Sequence, residues 1–395
     1  MKLCLIFITL LLGGASHAQQ KSVLVFDLFN GTLDSITNIR CDSTILHEST
    51  HHCVGQFNQL VELFDTDIPV SDLFPGSQFT RKKRASGRFN LNDFPLRTSV
   101  KLFRTNSDTL VDLCSGSIIS KRHVITAAHC VASPGRNNLY TDSLFVSPVF
   151  DNGDFNENFQ SSFVSKVYIF KDWNFNGEDL AILELEEPIG ERTGWISIGF
   201  ETEDTLLKEG VFYKFSYPTE TNPFLDPNTY NGDTLYYNYG QVDDVTENRI
   251  SITNAIGVGG DSGSSIIKVT AGEKFISYGV LSFANNLSHS RINNWRYCAI
   301  KTIIKNELMI EDLDVQNNYF VYPNPVAHSF RINQPEGMEV LDLVIYDNMG
   351  RVCFLQENYN SCSAIDISAL ANGIYYLNLA TRNGMVTRKI VKYGY

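Results

Sequence analysis

The sequence predicts an all-β protein whose main domain ends in one helix and is followed by a second, smaller β domain. In residues 89–282, short β-branched or aromatic stretches alternate with Gly, Asn, Asp and Pro, which is the pattern of strands joined by turns. In residues 299–310 the pattern changes to that of a helix, with an apolar face made by Ile300, Ile303, Ile304 and Leu308. This order predicts a strand-rich domain that is closed by a helix.

The last part of the chain returns to a β pattern after a polar break at residues 311–318. The stretches "LDLVIYDNMGRVCFLQ" and "GIYYLNLATRNGMVTRKIVKY" are typical of strands joined by turns. In the second stretch, the dipeptide Asn383-Gly384 favours a tight hairpin. Residues 318–395 are therefore predicted to form a small β-sandwich.

Residues 1–18 have the layout of a secretory signal peptide. Lys2 precedes an apolar run at residues 3–12, and small residues end at Ala18, after which cleavage is expected. A membrane anchor is the alternative, but the run is too short to span a bilayer comfortably. We therefore expect an exported protein without a membrane span.

The charge and the histidines limit the class of partner. The net charge is -12, whereas domains that bind nucleic acids are usually basic, so we expect no nucleic-acid partner. We also expect no cofactor and a monomeric chain. No metal is predicted either, because a zinc-site spacing is lacking in the histidine-rich cluster of His47, His51, His52 and Cys53.

The cysteines beyond the signal peptide fall mostly into local pairs. In an exported protein such pairs indicate short-range disulfides. Cys298 has no local partner. The predicted bonds are Cys41–Cys53, Cys114–Cys130 and Cys353–Cys362.

The region between the signal peptide and the strand-rich domain is mixed and polar, and residues 19–84 are predicted to be a prosegment. It ends in the basic run 81–84, which is either a solvated surface or a linker that a protease cuts. The strand-rich domain that follows is predicted to span residues 85–312.

Three residue types that support acyl transfer occur in separate motifs. His129 lies in "VITAAHC", Asp179 precedes the apolar stretch "LAILEL", and Ser262 lies in the glycine-rich "GVGGDSGSS". Each residue alone has a plainer explanation, as a buried ring, a turn residue or a loop residue. A serine nucleophile, however, needs an imidazole base, and that base needs a carboxylate to fix its tautomer. The glycines allow the serine loop to turn its amides towards an oxyanion.

The motifs "TAAHC", "DLAIL" and "GDSGS" resemble those of the chymotrypsin/trypsin-like serine peptidases, in the same chain order of His, Asp and Ser. The resemblance covers about residues 89–310. It implies a double six-stranded β-barrel of the chymotrypsin type with a C-terminal helix. The Cys114–Cys130 pair matches the disulfide that ties the histidine loop in this family.

The same resemblance assigns roles to the motif residues. It implies that His129 is the general base, that Asp179 orients it, and that Ser262 attacks the substrate. The backbone amides of Gly260 and Ser262 would form the oxyanion hole.

The resemblance also implies which residues form the primary specificity pocket. Ile256 stands where trypsin-like enzymes hold the residue at the pocket base, and without an aspartate there we predict a preference for apolar or acidic residues. The stretches "FSYP", "YGQVDDV" and "GGDSGSS" resemble those of bacterial glutamyl endopeptidases, although Leu281 stands where that branch usually has a histidine. The predicted pocket residues are Ile256, Ser282, Phe283 and Trp295.

Activation by proteolysis is a further implication of the resemblance. In this family a freed α-amino group pairs with the carboxylate beside the nucleophile, here Asp261. The candidate cleavage sites are the Arg84–Ala85 and Arg88–Phe89 bonds. The first is favoured because four basic residues make the better protease target.

Residues 318–395 resemble the sorting domain of type IX secretion, in "VYPNPVAHSFRI", "VIYDNMGRV", "GIYYLNL" and "RKIVKY". This implies a Gram-negative bacterium that exports the protein through the periplasm and then releases it or anchors it at the cell surface. The type IX machinery would then be a partner. A generic adhesive or substrate-binding β module is the alternative.

Together these inferences predict a secreted serine endopeptidase that hydrolyses protein or peptide substrates through an acyl-enzyme intermediate. The alternatives are an esterase on the same fold and a catalytically silent surface-binding protein.

Overall fold

The structure, a computed structural model, describes most of the chain. Residues 1–20 lie outside it, and so do the predicted Cys41–Cys53 bond and the histidine cluster at 47–53. None of the helices in the described part is long and apolar enough to cross a membrane. The described residues are 21–39, 68–106, 109–135, 138–140, 143–171, 173–175, 178–219, 229–269, 275–308, 319–333, 340–357, 359, 364–381 and 384–393.

The first half of the chain builds a closed barrel. Except for β3, its strands form one sheet in the order β2-β1-β8-β7-β4-β5-β6-β9, and pairing of β8 with β9 closes the last six strands into a ring. The strands β1 and β2 form a hairpin that extends this sheet from β8. In chain order the strands are β1 (Val23–Asp27), β2 (Thr32–Ile36), β3 (Lys83–Arg84), β4 (Ser99–Asn106), β5 (Thr109–Ile118), β6 (His123–Thr126), β7 (Leu144–Pro148), β8 (Ser162–Phe170) and β9 (Ala181–Leu185).

The second half of the main domain forms another curved sheet, in the order β13-β14-β17-β16-β15-β11-β12-β3, with β10 beside β16. The strands are β10 (Ser197–Ile198), β11 (Phe212–Ser216), β12 (Tyr236–Gly240), β13 (Asp244–Val245), β14 (Arg249–Ser251), β15 (Ser265–Val269), β16 (Phe275–Phe283) and β17 (Ser288–Arg291). The predicted all-β class is confirmed. The second barrel is not closed by strand pairing in the described residues, because β3 pairs with the free edge of β12.

Few helices interrupt these sheets. The α-helices are α1 (Gly190–Thr193), α2 (Asp204–Leu207) and α3 (Asn294–Leu308), and short 3-10 helices cover Val70–Asp72, Ala85–Gly87, Leu96–Thr98 and Ala128–Cys130. The predicted closing helix is present as α3, with Ile300 and Ile303 buried. It begins earlier than residue 299 because Asn293 Oδ1 accepts a hydrogen bond from the Arg296 amide at 3.1 Å.

The C-terminal region consists of two small sheets around a separate apolar core, as the sandwich prediction required. The hairpin predicted at residues 383–384 is consistent with the pairing of Thr381 with Gly384. The sheets have the orders β18-β19-β22 and β21-β20-β23-β24. The strands are β18 (Phe320–Tyr322), β19 (Ser329–Asn333), β20 (Val340–Tyr346), β21 (Val352–Gln356), β22 (Ile365–Asp366), β23 (Gly373–Thr381) and β24 (Gly384–Lys392).

One of the predicted disulfides is wrong. Cys353 is a free thiol, so the Cys353–Cys362 bond does not form; its sulfur lies on β21, 3.5 Å from the Arg351 carbonyl oxygen. Cys298, for which the sequence shows no local partner, is disulfide-bonded. Proximity in sequence does not set the direction of the Cβ atoms, which decides whether two cysteines can be joined. The Cys114–Cys130 bond is confirmed, with a Cα–Cα distance of 6.1 Å.

The C-terminal sheets contact the first barrel through charged groups. Arg388 Nε lies 3.5 Å from Glu187 Oε1, and Lys389 Nζ lies 3.4 Å from Glu186 Oε1. Burial raises the pKa of Glu187 to about 8, although the charges of Arg388 and Arg122 oppose this rise. A carboxyl group whose pKa rises on folding stabilises the fold below its unfolded pKa. That contribution is lost as the pH rises through about 8.

Replacing Glu187 with glutamine should therefore raise Tm of the full chain at pH 8.5 by several degrees and change it little at pH 5. For a chain of this size, 1 kcal/mol corresponds to about 2–4 °C. Scanning calorimetry at both pH values would measure this. The control is Glu191→Gln, whose exposed carboxylate lies 3.4 Å from Lys121 and should matter little. The same shift at pH 5 and pH 8.5 would contradict the raised pKa.

Candidate active site

The histidine is held by the end of β6 and by the Cys114–Cys130 disulfide. After β6 the chain enters the 3-10 helix Ala128–Cys130, and the disulfide ties this turn to β5. The flanking Ala128 and Cys130 are buried, whereas the side chain of His129 is 21% exposed. The ring is therefore fixed in position and still open to a substrate.

The aspartate meets this histidine because β6 and β9 are neighbours. Thr126 at the end of β6 pairs with Ala181 at the start of β9, so the residues after β6 and before β9 share one edge. Asp179 is fully buried. Its Oδ2 lies 2.6 Å from His129 Nδ1, and its Oδ1 accepts the His129 backbone N–H at 2.8 Å. Ser282 Oγ donates to the same Oδ2 at 2.5 Å.

The serine lies in the loop before β15, and backbone contacts hold this loop against the histidine turn. The Ser262 carbonyl oxygen accepts the Ser115 N–H at 2.8 Å. Gly263 has φ of +80°, and a Cβ there would lie 2.1 Å from Thr126 Oγ1 and 3.0 Å from the Ala127 nitrogen. No hydrogen bond joins Ser262 Oγ to His129 within the described residues. Such contacts often tighten only when substrate binds.

The two backbone amides that are predicted to bind an oxyanion have no hydrogen-bond acceptor among the described residues. Within the described ranges, neither the Gly260 nor the Ser262 N–H donates to a protein acceptor. Gly260 has φ of +83°, and a Cβ there would lie 2.2 Å from the Tyr217 carbonyl oxygen, so the conformation requires glycine. Its own carbonyl oxygen accepts Ser115 Oγ at 2.8 Å. The loop therefore presents two free donors near the serine.

The carboxylate beside the nucleophile is surrounded by buried groups. Asp261 Oδ2 lies 3.0 Å from Lys82 Nζ, and its Oδ1 lies 3.5 Å from Lys214 Nζ. Ser216 Oγ donates to Oδ1 at 2.7 Å, and the Val258 N–H donates to Oδ2 at 3.0 Å. Burial alone would raise the pKa of Asp261, but the two lysines and these hydrogen bonds hold it below its usual value.

Sequence reasoning missed both lysines. The sequence predicts that the basic run 81–84 is a solvated surface or a linker that a protease cuts, but Lys82 and Ala85 are buried. Lys82 and Lys83 point to opposite sides of an extended chain, but the sequence alone does not say which of them turns inward. For Lys214 the sequence does carry a sign of burial, because it is a lone charge within the aromatic stretch "VFYKFSY".

The structure brings three of the four predicted pocket residues together. Ile256 pairs with Asn285 in an isolated bridge, just beyond Ser282 and Phe283. Phe283 is 36% exposed. Trp295 is not part of this group: it lies on α3, with its ring 5.2 Å from that of Phe170. Since Phe170 lies on β8, the Trp295 side chain is directed towards the first barrel.

An aromatic surface that the sequence did not reveal adjoins the histidine. The Phe175 ring lies 5.8 Å from the His129 ring and 5.1 Å from the Phe283 ring. The Arg249 guanidinium lies 4.9 Å from the centre of the Phe283 ring. These residues form a half-exposed wall next to the imidazole.

One group of possible metal ligands occurs at the site, but it does not suit a metal. Within the described residues, ligand atoms of Cys114, His129 and Cys130 lie within 4.8 Å of one another. The two sulfurs are joined in a disulfide, so they are not the thiolates that bind metals.

Comparison with known proteins identifies both regions. The family model described as "Trypsin" matches residues 88–299, more than half of the chain. Chymotrypsin-C of Rattus norvegicus is 30% identical over 100 residues, which are 25% of this chain and 35% of that protein. Chymotrypsin-C of Mus musculus is 30% identical over 130 residues, or 31% of this chain and 43% of that protein. The chain thus spans less than half the length of these curated relatives.

The C-terminal sheets match a different family model. It is described as "Secretion system C-terminal sorting domain" and covers residues 320–393. A domain of this kind implies secretion or attachment at the cell surface. The chain therefore belongs to the trypsin family and carries a secretion-system sorting domain after its trypsin domain.

Proposed function

We propose that the protein is a secreted serine endopeptidase in which Ser262, His129 and Asp179 act together. The observation that carries the proposal is the 2.6 Å contact between His129 Nδ1 and a fully buried Asp179. That contact fixes the proton on Nδ1 and leaves Nε2 free to accept one. The serine of the glycine-rich loop is held against the same histidine turn.

In the first step Ser262 Oγ attacks the carbonyl carbon of the peptide bond while His129 Nε2 takes the hydroxyl proton. The imidazolium that forms is stabilised by Asp179, which remains ionised. The negative charge that develops on the carbonyl oxygen is stabilised by the uncommitted amides of Gly260 and Ser262.

In the second step the C–N bond breaks as His129 gives its proton to the leaving amine, which leaves an ester on Ser262. A water molecule then attacks the ester carbonyl carbon while His129 takes a proton from it. The bond from this carbon to Ser262 Oγ breaks, His129 returns the proton to Oγ, and the carboxylate product leaves. No cofactor is needed for either step.

A fluorophosphonate probe and a casein assay on the full chain test this proposal. The probe should label the protein, and peptide mapping should place the label on Ser262. Casein should be cleaved. Labelling without casein cleavage but with ester hydrolysis would indicate the esterase alternative. An intact chain that no probe labels would indicate the surface-binding alternative.

For specificity, we propose cleavage after apolar or acidic residues rather than after Arg or Lys. Ile256 supplies no carboxylate to balance a substrate cation, and burying an unpaired charge is costly. The guanidinium of Arg249 over Phe283 adds positive charge beside the site. Digestion of a proteome-derived peptide library, with the cleavage sites determined by mass spectrometry, should show this preference. Dominant cleavage after Arg or Lys would contradict it.

We further propose that the chain reaches the cell surface through the periplasm with the help of the sorting domain. Deleting residues 315–395 should leave a probe-reactive trypsin domain in the periplasm of the native host. Cell fractionation and immunoblotting measure this. Glu187→Ala, which removes the contact with Arg388 and leaves residues 318–395 unchanged, is the control and should still reach the surface. Normal surface delivery of the truncated chain would contradict the route.

A further inference from the structure

We propose that Lys82 is a positioning residue for the oxyanion loop and that the active protein keeps it. This inference rests on the proposed peptidase function. It departs from the expectation that a freed α-amino group must pair with Asp261, because an internal ammonium already occupies that place.

The contacts of Lys82 span the whole loop before the nucleophile. Its Nζ lies 3.0 Å from Asp261 Oδ2 and donates to the Ile256 carbonyl oxygen at 3.4 Å. Lys82 therefore connects the two ends of segment 256–261, which carries the Gly260 amide. Both charged side chains are fully buried, so water does not screen their attraction.

Lys82 reaches Asp261 because the segment that carries it pairs with the free edge of the second sheet. Lys83 and Arg84 pair with Tyr237 and Tyr236 on the free edge of β12. The pairing continues on both sides, since the Thr80 N–H donates to the Tyr239 carbonyl at 2.8 Å and the Ala85 N–H donates to the Leu235 carbonyl at 2.9 Å. In this extended segment Lys83 faces outward to Asp72, and Lys82 faces inward. The pairing of β3 with β12 thus places the Lys82 ammonium next to Asp261.

The second lysine does not replace Lys82. Lys214 lies farther away, at 3.5 Å from Asp261 Oδ1. Burial lowers the pKa of Lys214 to about 8, and the charge of Lys82 contributes to this effect while Asp261 opposes it. Above that pH Lys214 loses its proton progressively. Asp261 then depends increasingly on Lys82 as its counter-charge.

Cleavage after Arg84 would remove this arrangement. A chain that begins at Ala85 lacks Lys82. The Ala85 nitrogen, moreover, already donates to the Leu235 carbonyl at 2.9 Å, and the residue is fully buried. Removing one partner of a buried ion pair leaves an unpaired charge, which is strongly destabilising. We therefore place the N-terminus of the active form upstream of Lys82.

The first test is Lys82→Met, which keeps the length of the side chain and removes its charge. We expect kcat/KM for a peptide substrate, and the rate of fluorophosphonate labelling, to fall by about 10–100-fold, because the loop no longer holds its amides in place. Lys83→Met is the matched control. Its ammonium is partly exposed and pairs with Asp72, so activity should stay within about twofold of wild type. Wild-type activity in Lys82→Met would overturn the inference.

A double-mutant cycle distinguishes positioning from general destabilisation. If Lys82 acts through Asp261, Lys82→Met should lower kcat/KM by less than about threefold in an Asp261→Asn background, because the partner charge is already gone. Equal losses in both backgrounds would show that Lys82 acts otherwise and would overturn the inference.

The native protein provides a test that needs no variant, in case Lys82→Met does not fold. The full chain is matured in its host and labelled with the fluorophosphonate. The mass and N-terminal sequence of the labelled chain are then determined under denaturing conditions. A start upstream of Lys82 supports the inference, and a start at Ala85 or Phe89 overturns it. A wild-type protein that is not labelled at all removes the proposed function, and this inference with it.

Discussion

Replacing Ser262 with alanine is expected to abolish nearly all peptide hydrolysis. Loss of the nucleophile in such a site lowers kcat by about 10⁶-fold. The remaining rate would come from substrate binding and from the Gly260 and Ser262 amides, which the substitution leaves in place. Fluorophosphonate labelling should disappear as well. The measurement is kcat with a chromogenic peptide, with the pure variant checked for wild-type Tm.

Ser265→Ala is the control for this result. Ser265 is buried on β15, and within the described residues its hydroxyl has no hydrogen-bond partner, so its removal should leave kcat unchanged. If Ser262→Ala kept more than about 1% of the activity, hydrolysis would have to use another nucleophile, since the residual catalysis expected without one is far lower.

Changing Asp179 to asparagine is expected to have the second largest effect, lowering kcat by about 10⁴-fold. The amide group of the new side chain would donate to His129 Nδ1 at the place where Asp179 now accepts at 2.6 Å. The proton of the neutral imidazole would then sit on Nε2, and the ring could no longer take the proton of Ser262. KM should change little, because Asp179 does not contact substrate.

The comparison for this variant is Ser282→Ala, which removes one donor to Asp179 but does not change the tautomer of His129. Its kcat should fall much less, by about tenfold. Both variants are measured from pH 6 to pH 10 with the same peptide. A loss of tenfold or less in Asp179→Asn would contradict the role given to the carboxylate.

The parts of the site that the sequence could predict are those in which chemistry and chain position coincide. His129, Asp179 and Ser262 each lie in a short motif, and β6, β9 and the glycine-rich loop bring these motifs together. The helix α3 was predictable for a similar reason, because its apolar face repeats within a few turns.

The residues that the sequence could not place depend on pairing across long separations. Lys82 and Ile256 are 174 residues apart, and within the run "RKKR" nothing local separates a buried lysine from an exposed one. Only the register of β3 on β12 decides which of them turns inward. The sequence does not predict the open second sheet for the same reason. The strand that pairs with its free edge, β3, lies within the predicted prosegment.

The cysteines show a different limit. Proximity in sequence predicted a Cys353–Cys362 bond, whereas Cys353 is free on β21 and Cys298 on α3 is disulfide-bonded. Disulfides follow the directions of the Cβ atoms in the fold. Where the fold was suggested by a family resemblance, as for Cys114–Cys130, the pairing was correct.

The contact between the C-terminal sheets and the first barrel has a consequence for maturation. The Tyr393 ring lies 5.3 Å from that of Phe155, and Val391 is buried in the same apolar core as the barrel. Together with the Arg388–Glu187 pair, these contacts do not depend on the peptide bonds between residues 308 and 319. A protein cut in that stretch would migrate as one particle on a native gel and as two fragments on a denaturing gel. The C-terminal sheets would leave the trypsin domain only when their contacts with the first barrel were also broken.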